Sequence, residues 1–210
     1  MKGILLLSSG IDSPVAGYLM LKRGVEIVAL HMDNQPLVNA LPKEKTIKLA
    51  KKLAELSGRE IKIYIVNHGR NQVEMIRNTE RKYQCILCRR MMLRIAEKIA
   101  EKENADFIVT GENLAQVASQ TLKNMANEES AVQMPVLRPL LCYDKVDTIK
   151  IAREIGTYEI SIEAGMCCAA VPKNPATQSK KESVAREEAK LDVDAMTENA
   201  IKEAEIIAVG

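Results

Sequence analysis

Short apolar runs alternate along this chain with longer stretches in which apolar residues recur every three or four positions. The runs Ile4 to Leu7, Val25 to Leu30, Ile61 to Val66, Phe107 to Val109 and Val136 to Leu137 predict strands buried on both faces. Between them, Lys43 to Leu56 carries Ile47, Leu49, Ala50, Leu53, Ala54 and Leu56 at helical spacing, and Met92, Ile95, Ala96, Ile99 and Ala100 repeat the pattern. Such alternation implies right-handed crossovers and a parallel sheet covered on both faces, a doubly wound α/β fold. Ligands of such sheets bind beyond the carboxyl ends of the strands. From about Ser161 the pattern fades into the stretch Cys167 to Pro175, followed by a charged helical segment to the end. The expected division is a sheet domain over 1–160 and an extension over 161–210 packed on it.

Composition narrows the classes. A chain of 210 residues, 47% hydrophobic and 28% charged, buries a sizeable core. No apolar run approaches the roughly 20 residues of a membrane span, and Lys2 before Gly3 to Leu7 lacks the features of a signal peptide. The expected location is the cytoplasm, with no membrane partner. A net charge of +2 is not that of a dedicated nucleic-acid binder, and one Phe, five Tyr and no Trp provide no visible base-stacking platform. Any RNA contact is then electrostatic or shape-based. The ten Met read as core filling, Cys142 beside Leu141 reads as a buried core thiol, and His31 and His68 show no partners and receive no role.

The strongest local signal is Ser8-Ser9-Gly10-Ile11-Asp12-Ser13 between the first strand and a helix start. Such a turn gathers successive backbone N–H groups, those of Ser9, Gly10 and Ile11 among them, and a helix N-terminus around one anion, which suits pyrophosphate. Gly10 lets the chain pass close to phosphate oxygens, Ser8 and Ser13 offer hydroxyls, Asp12 holds a magnesium ion, and Pro14 fits the first helical turn. There is no Gly-Lys-Ser/Thr ending and no Gly-x-Gly-x-x-Gly fingerprint. The plain alternative is an ordinary strand-to-helix turn capped by Ser and Asp.

The segment Ser8 to Gly17 resembles the PP-loop signature Ser-Gly-Gly-x-Asp-Ser in the form found in the tRNA 4-thiouridine sulfurtransferase family. Cys88 to Ala96, Val109 to Thr121, Pro135 to Leu140, Asp144-Lys145, Ile155 to Tyr158 and Cys168 to Pro175 are similar to that family's later blocks, in order over nearly the whole chain. The resemblance implies an adenine nucleotide alpha hydrolase-like fold and an ATP pyrophosphatase using ATP and Mg2+. The base oxygen of a tRNA uridine is adenylated and AMP is displaced by sulfur, with sulfide or a donor protein as source. The family is tied to thiamine biosynthesis as well as to 4-thiouridine. Ser9 stands where the family has Gly, which places a Cβ near phosphate and is expected to demand an unusual φ. The family's N-terminal ferredoxin-like and THUMP parts, and any rhodanese domain, are not found in this sequence. RNA capture is therefore expected through a separate THUMP-type protein, a homodimer or the domain's own surface.

The remaining candidates divide into two sets. Gly111, Glu112, Gln116 and Ser119 follow a strand at the sheet's carboxyl edge and face the nucleotide in this reading, with capping polar residues as the plain alternative. Arg138 and Lys145 are candidates to balance phosphate charge, Lys145 mainly on the resemblance, while Arg89, Arg90 and Arg94 form either a track for RNA phosphates or a charged helix face. Five cysteines without a secretion signal point to metal, redox or nucleophilic chemistry. Cys85 and Cys88 open a helix beside Arg89 and Arg90, which favours thiolates. With one thiol of Cys167-Cys168 they make three ligands for a [4Fe–4S] cluster open to hydrosulfide. The resemblance points to Cys168 as that ligand or as the sulfur carrier. A cysteine persulfide and a zinc site are the rivals. At the level of function the alternatives are an amidating PP-loop ligase and a non-catalytic nucleotide-binding subunit.

Overall fold

The computed structural model describes every residue except 115, 118, 119 and 164–171. Among the described residues, β1 (Lys2–Leu6), β2 (Glu26–Asp33), β3 (Ile61–Asn67), β4 (Phe107–Val109), β5 (Val136–Leu137) and β6 (Glu205–Val209) form one sheet in the order β5-β4-β1-β2-β3-β6. All neighbours are parallel except β6, which runs antiparallel along β3 from Ile61 opposite Val209 to Ile65 opposite Glu205. The first five strands therefore match the expected doubly wound sheet. The charged helical pattern expected to run to the end stops at Lys202, and the chain returns as an edge strand. The segment after residue 161 thus contributes to the same sheet as residues 1–160.

The helices are α1 (Asp12–Leu21), α2 (Leu41–Ser57), α3 (Gly69–Asn78), α4 (Gln84–Glu103), α5 (Leu122–Glu129), α6 (Lys145–Glu154), α7 (Tyr158–Ile162), α8 (Lys181–Glu188) and α9 (Val193–Lys202). Strand alternation sends Ile4, Val28, Leu30, Tyr64 and Val66 to one face, where Met75 of α3, Ile86, Leu87, Met91, Ile95 and Ile99 of α4 and Ala200 of α9 cover them. Leu5, Ala29, Ile63, Ile65 and Val109 point to the other, against Val15 and Ala16 of α1, Leu53 of α2 and Ala152 of α6. Ile4, Leu5, Ile63 and Ile95 are wholly buried, each burial being worth about 1.5–3 kcal/mol. The crossover from β1 goes to β2 on one side, while β4 docks on the other. The carboxyl end of β1 is thus the switch point at which such a sheet opens a ligand crevice.

Candidate active site

The turn between β1 and α1 is closed from within. Ser8 N–H donates to Ser13 Oγ at 2.9 Å, the two hydroxyls lie 3.0 Å apart, and Gly10 N–H donates to Ser8 Oγ at 3.3 Å. Ile11 occupies the α1 N-cap without a side-chain cap, so the first N–H groups of α1 are presented to an incoming anion. Among the described residues, positive φ angles occur at Asn104, Gly24, Gly58 and Gly156. The unusual φ expected at Ser9 is therefore not there, because the turn is closed by the Ser8–Ser13 hydrogen bonds rather than by a left-handed residue. A Cβ on Gly10 would meet only Ser8 Oγ, at 3.5 Å. The close backbone approach lies instead at Gly111, where a Cβ would stand 2.6 Å from Ser13 N and 2.7 Å from its Cα.

Charged groups from four other parts of the chain, α6, α4 and the segments after β4 and β5, converge around this turn. Lys145, the first residue of α6, bonds both Asp12 oxygens, at 2.6 and 2.8 Å, and reaches Gln116 Oε1 at 3.4 Å. A cation at a helix N-terminus is disfavoured by the helix dipole, and Asp12 supplies the opposing charge. Glu112, buried after β4, accepts from Arg89 Nη1, from Arg138 Nε at 2.9 Å and from Thr110 Oγ1 at 3.1 Å. Burial pushes the Glu112 carboxyl up, but Arg89 and Arg138 outweigh it and hold the pKa below the ordinary value. Arg138 spends its guanidinium on Glu112 and on Glu129, at 2.7 Å. Ser119 lies outside the described residues.

Ser8, Gly10, Asp12 and Ser13 share a cavity of about 510 Å³ with Cys85, Cys88, Arg89, Gly111, Glu112 and Glu128. The structure therefore brings the phosphate turn and the Cys85/Cys88 pair to one place. Pro175 lines the same cavity, at the end of the stretch that begins at Cys168; Cys167 and Cys168 lie outside the described residues. Cys85 and Cys88 sit in the first turns of α4, as expected. Desolvation opposes the charge of Arg89, yet Glu112, Glu128, Cys88 and Cys85 together raise its pKa above the ordinary value. Arg90 and Arg94 serve the fold: Arg90 donates to Glu188 at 2.9 and 2.6 Å and to Asn127 O, and Arg94 reaches Glu188 at 3.2 Å. Cys142 is exposed rather than buried, because Leu140, fully buried two residues earlier, takes the core position in that turn.

Sequence reasoning missed the two histidines. His31 and His68 line a second cavity, of about 220 Å³, together with Ser8, Ser9, Met32, Asn34, Gln72 and Cys88. His31 Nδ1 donates to Leu7 O at 3.1 Å, and burial lowers its pKa. His68 Nε2 lies 3.2 Å from Cys88 Sγ, and burial lowers its pKa to about 4, so the ring is neutral at pH 7. No local motif surrounds either residue. Their one sequence signal is position, at or just beyond the carboxyl end of a predicted strand.

With this geometry, the likenesses to known proteins have a site to refer to. Residues 1–193 match the family described as thiamine biosynthesis protein (ThiI). A protein of Alkaliphilus metalliredigens named "probable tRNA sulfurtransferase" is 47% identical over 207 residues, which are 98% of this chain and 53% of that protein. One of the same name from Methanothermobacter thermautotrophicus is 46% identical over 193 residues, 91% of this chain and 50% of its own length. The chain spans about half the length of the curated relatives it matches. A crystal structure of a 4-thiouridine synthetase–RNA complex with bound ATP superposes with a TM-score of 0.96 at 42% identity, covering 100% of this chain and 55% of that one. The NMN synthetase of Francisella tularensis, 14% identical, shares the fold with a TM-score of 0.59 over 93% of this chain and 85% of its own.

Proposed function

The chain belongs to the ThiI family, and from that premise we propose that it activates a tRNA uridine by adenylation and then replaces the activated oxygen with sulfur. One observation carries the reading: the phosphate turn and the Cys85/Cys88 pair line a single cavity. ATP lays its triphosphate on the turn from Ser8 to Ser13, where the α1 N-terminus and Lys145 meet the phosphate oxygens. Asp12 offers hard carboxylate oxygens to magnesium. The smaller cavity, walled by Leu30, Met32, Val38 and Pro42, suits a flat purine. The base oxygen attacks the α-phosphorus, pyrophosphate departs along the turn, and AMP becomes the group that sulfur displaces. Holding both steps in one cavity spares the activated base a passage through water.

Among the described residues no group of three or more His, Cys, Asp and Glu side chains is gathered around one metal position. Cys85 and Cys88 are two soft donors of a set that Cys168 completes in this reading. A [4Fe–4S] cluster bound there would supply an iron open to hydrosulfide. Arg89, held charged by its carboxylates, places a cation beside anionic sulfur at that spot. Sulfide or a donor protein provides the sulfur, and RNA is captured by this surface, by a second copy or by a THUMP-type protein.

The test is anaerobic thiolation of a tRNA transcript with ATP, Mg2+ and sulfide, read by mass spectrometry of its nucleosides beside iron analysis of the protein. Thiolated uridine is expected from the wild type and from Cys142→Ala, and none from Cys85→Ala or Cys88→Ala. The wild type should hold about four irons per chain, and both inactive variants should lose them. A colourless wild type that thiolates only when a persulfide-bearing donor replaces sulfide would select a persulfide on Cys168 instead. Thiolation that survives both Cys85→Ala and Cys88→Ala would overturn the sulfur site.

A further inference from the structure

Glu112 and Glu128, 5% and 1% exposed, stand together in the wall of the larger cavity. Two guanidiniums face them, Arg89 from α4 and Arg138 from the segment after β5. Glu112 engages both, and Glu129 accepts from Nη1 of Arg138. Glu128 approaches Arg89 Nε only to 3.9 Å, too long for a hydrogen bond, and shares a hydrogen bond with Glu112. Its Oε1 is buried without a hydrogen-bond partner. Two cations are thus matched by two carboxylates, and Glu128 is the third carboxyl in a water-poor wall. Burial raises its pKa to about 8; Arg89 and Arg138 oppose the shift, while the charge of Glu112 and a hydrogen bond to it add to it.

Phosphate binding has no use for such a group, since a carboxyl, neutral or ionised, brings no positive charge to an anion. A ligand that arrives with a proton to lose does have a use for it. We propose that Glu128 is a catalytic residue of the adenylation step, accepting the proton of the nucleobase ring N–H that adjoins the reacting carbonyl. The proposal rests on the adenylation reading above. In the step, the carbonyl oxygen forms a bond to the α-phosphorus and the bond from that phosphorus to the pyrophosphate oxygen breaks. The N–H electron pair becomes the ring C=N double bond, and the proton resides on Glu128 until it exchanges with water. A base that titrates near the working pH is the kind that makes this transfer efficiently, where an ordinary glutamate is too weak. Asp12 and the Cys85/Cys88 pair face the same cavity, but Asp12 is assigned to magnesium in the adenylation reading and Glu112 is held by two guanidiniums, which leaves Glu128 as the carboxyl with no cation within hydrogen-bond distance.

The test uses the full chain with ATP, Mg2+ and a tRNA transcript, following pyrophosphate release from about pH 6 to about pH 9 for the wild type and Glu128→Gln. The wild-type rate should rise with pH, pass through half its plateau near pH 8 and level off above it. Glu128→Gln should lower the plateau about 10²-fold and flatten that rise, with equilibrium ATP binding unchanged within about twofold. Because the substitution removes a buried ionisable group, the variant should melt no lower than the wild type above pH 8. An unaltered rate and pH profile in Glu128→Gln, or a matching loss of ATP affinity, would overturn the proton-transfer role. A wild type that releases no pyrophosphate with tRNA would overturn the adenylation reading itself, so the two failures are distinguishable.

Discussion

Asp12 and Lys145 hold each other across the mouth of the phosphate turn, both partly exposed. A surface pair of this kind adds about 1 kcal/mol or less to stability, so its residues are available for other work. A nucleotide offers each a stronger partner, phosphate oxygen for Lys145 and magnesium for Asp12. Asp12→Ala is therefore expected to cut pyrophosphate release by on the order of 10²-fold or more while the melting temperature stays within a few degrees; a turnover rate equal to wild type would remove Asp12 from the machinery. At this scale Asp12 stood out as a candidate because a short polar motif between a strand and a helix marks a place where an anion can bind. Glu128 was not, for on a helix carrying Lys123, Asn124, Asn127 and Glu129 it reads as a solvated charge. Its meaning comes from Arg89, Glu112 and Arg138, which chain separation hides. Arg90 misled for the same reason, since its partner Glu188 is 98 residues away.

Among the elements, β4 and α1 make the contact that shapes the turn. Gly111, just past β4, lies so near Ser13 that any Cβ must displace the α1 backbone. Gly111→Ala should weaken ATP binding by about tenfold or more with a smaller effect on thermal stability, because the displacement falls on the turn rather than on either core. Calorimetric titration of ATP against the variant checks this, and wild-type affinity would show that the turn tolerates the shift. The first five strands were readable as apolar runs because parallel strands are buried on both faces. The edge strand β6 was not. Ile206 is 54% exposed there, and the strand is held along β3 by backbone pairing that leaves little pattern in the side chains. α4 was readable in its core stripe through Ile95 and Ile99 and in the place of Cys85 and Cys88 in its first turns.

For the molecule as a whole, the sheet order explains why the chemistry gathers where it does. β1 is the strand from which the connections diverge, and its carboxyl end receives the β4 loop, the start of α6 and the first turns of α4. Chain segments around residues 10, 85, 112 and 145 meet there, which is why motifs dispersed along the sequence describe one site. No helix among the described residues is long and apolar enough to cross a membrane. The central claim is that ATP is cleaved between its α- and β-phosphates to activate an RNA base. The most direct measurement is the identity and ratio of the nucleotide products formed from α-labelled ATP with and without tRNA. The account expects AMP and pyrophosphate in equal amounts, formed only when tRNA is present, whereas ADP with inorganic phosphate, or AMP formed at the same rate without RNA, would contradict it.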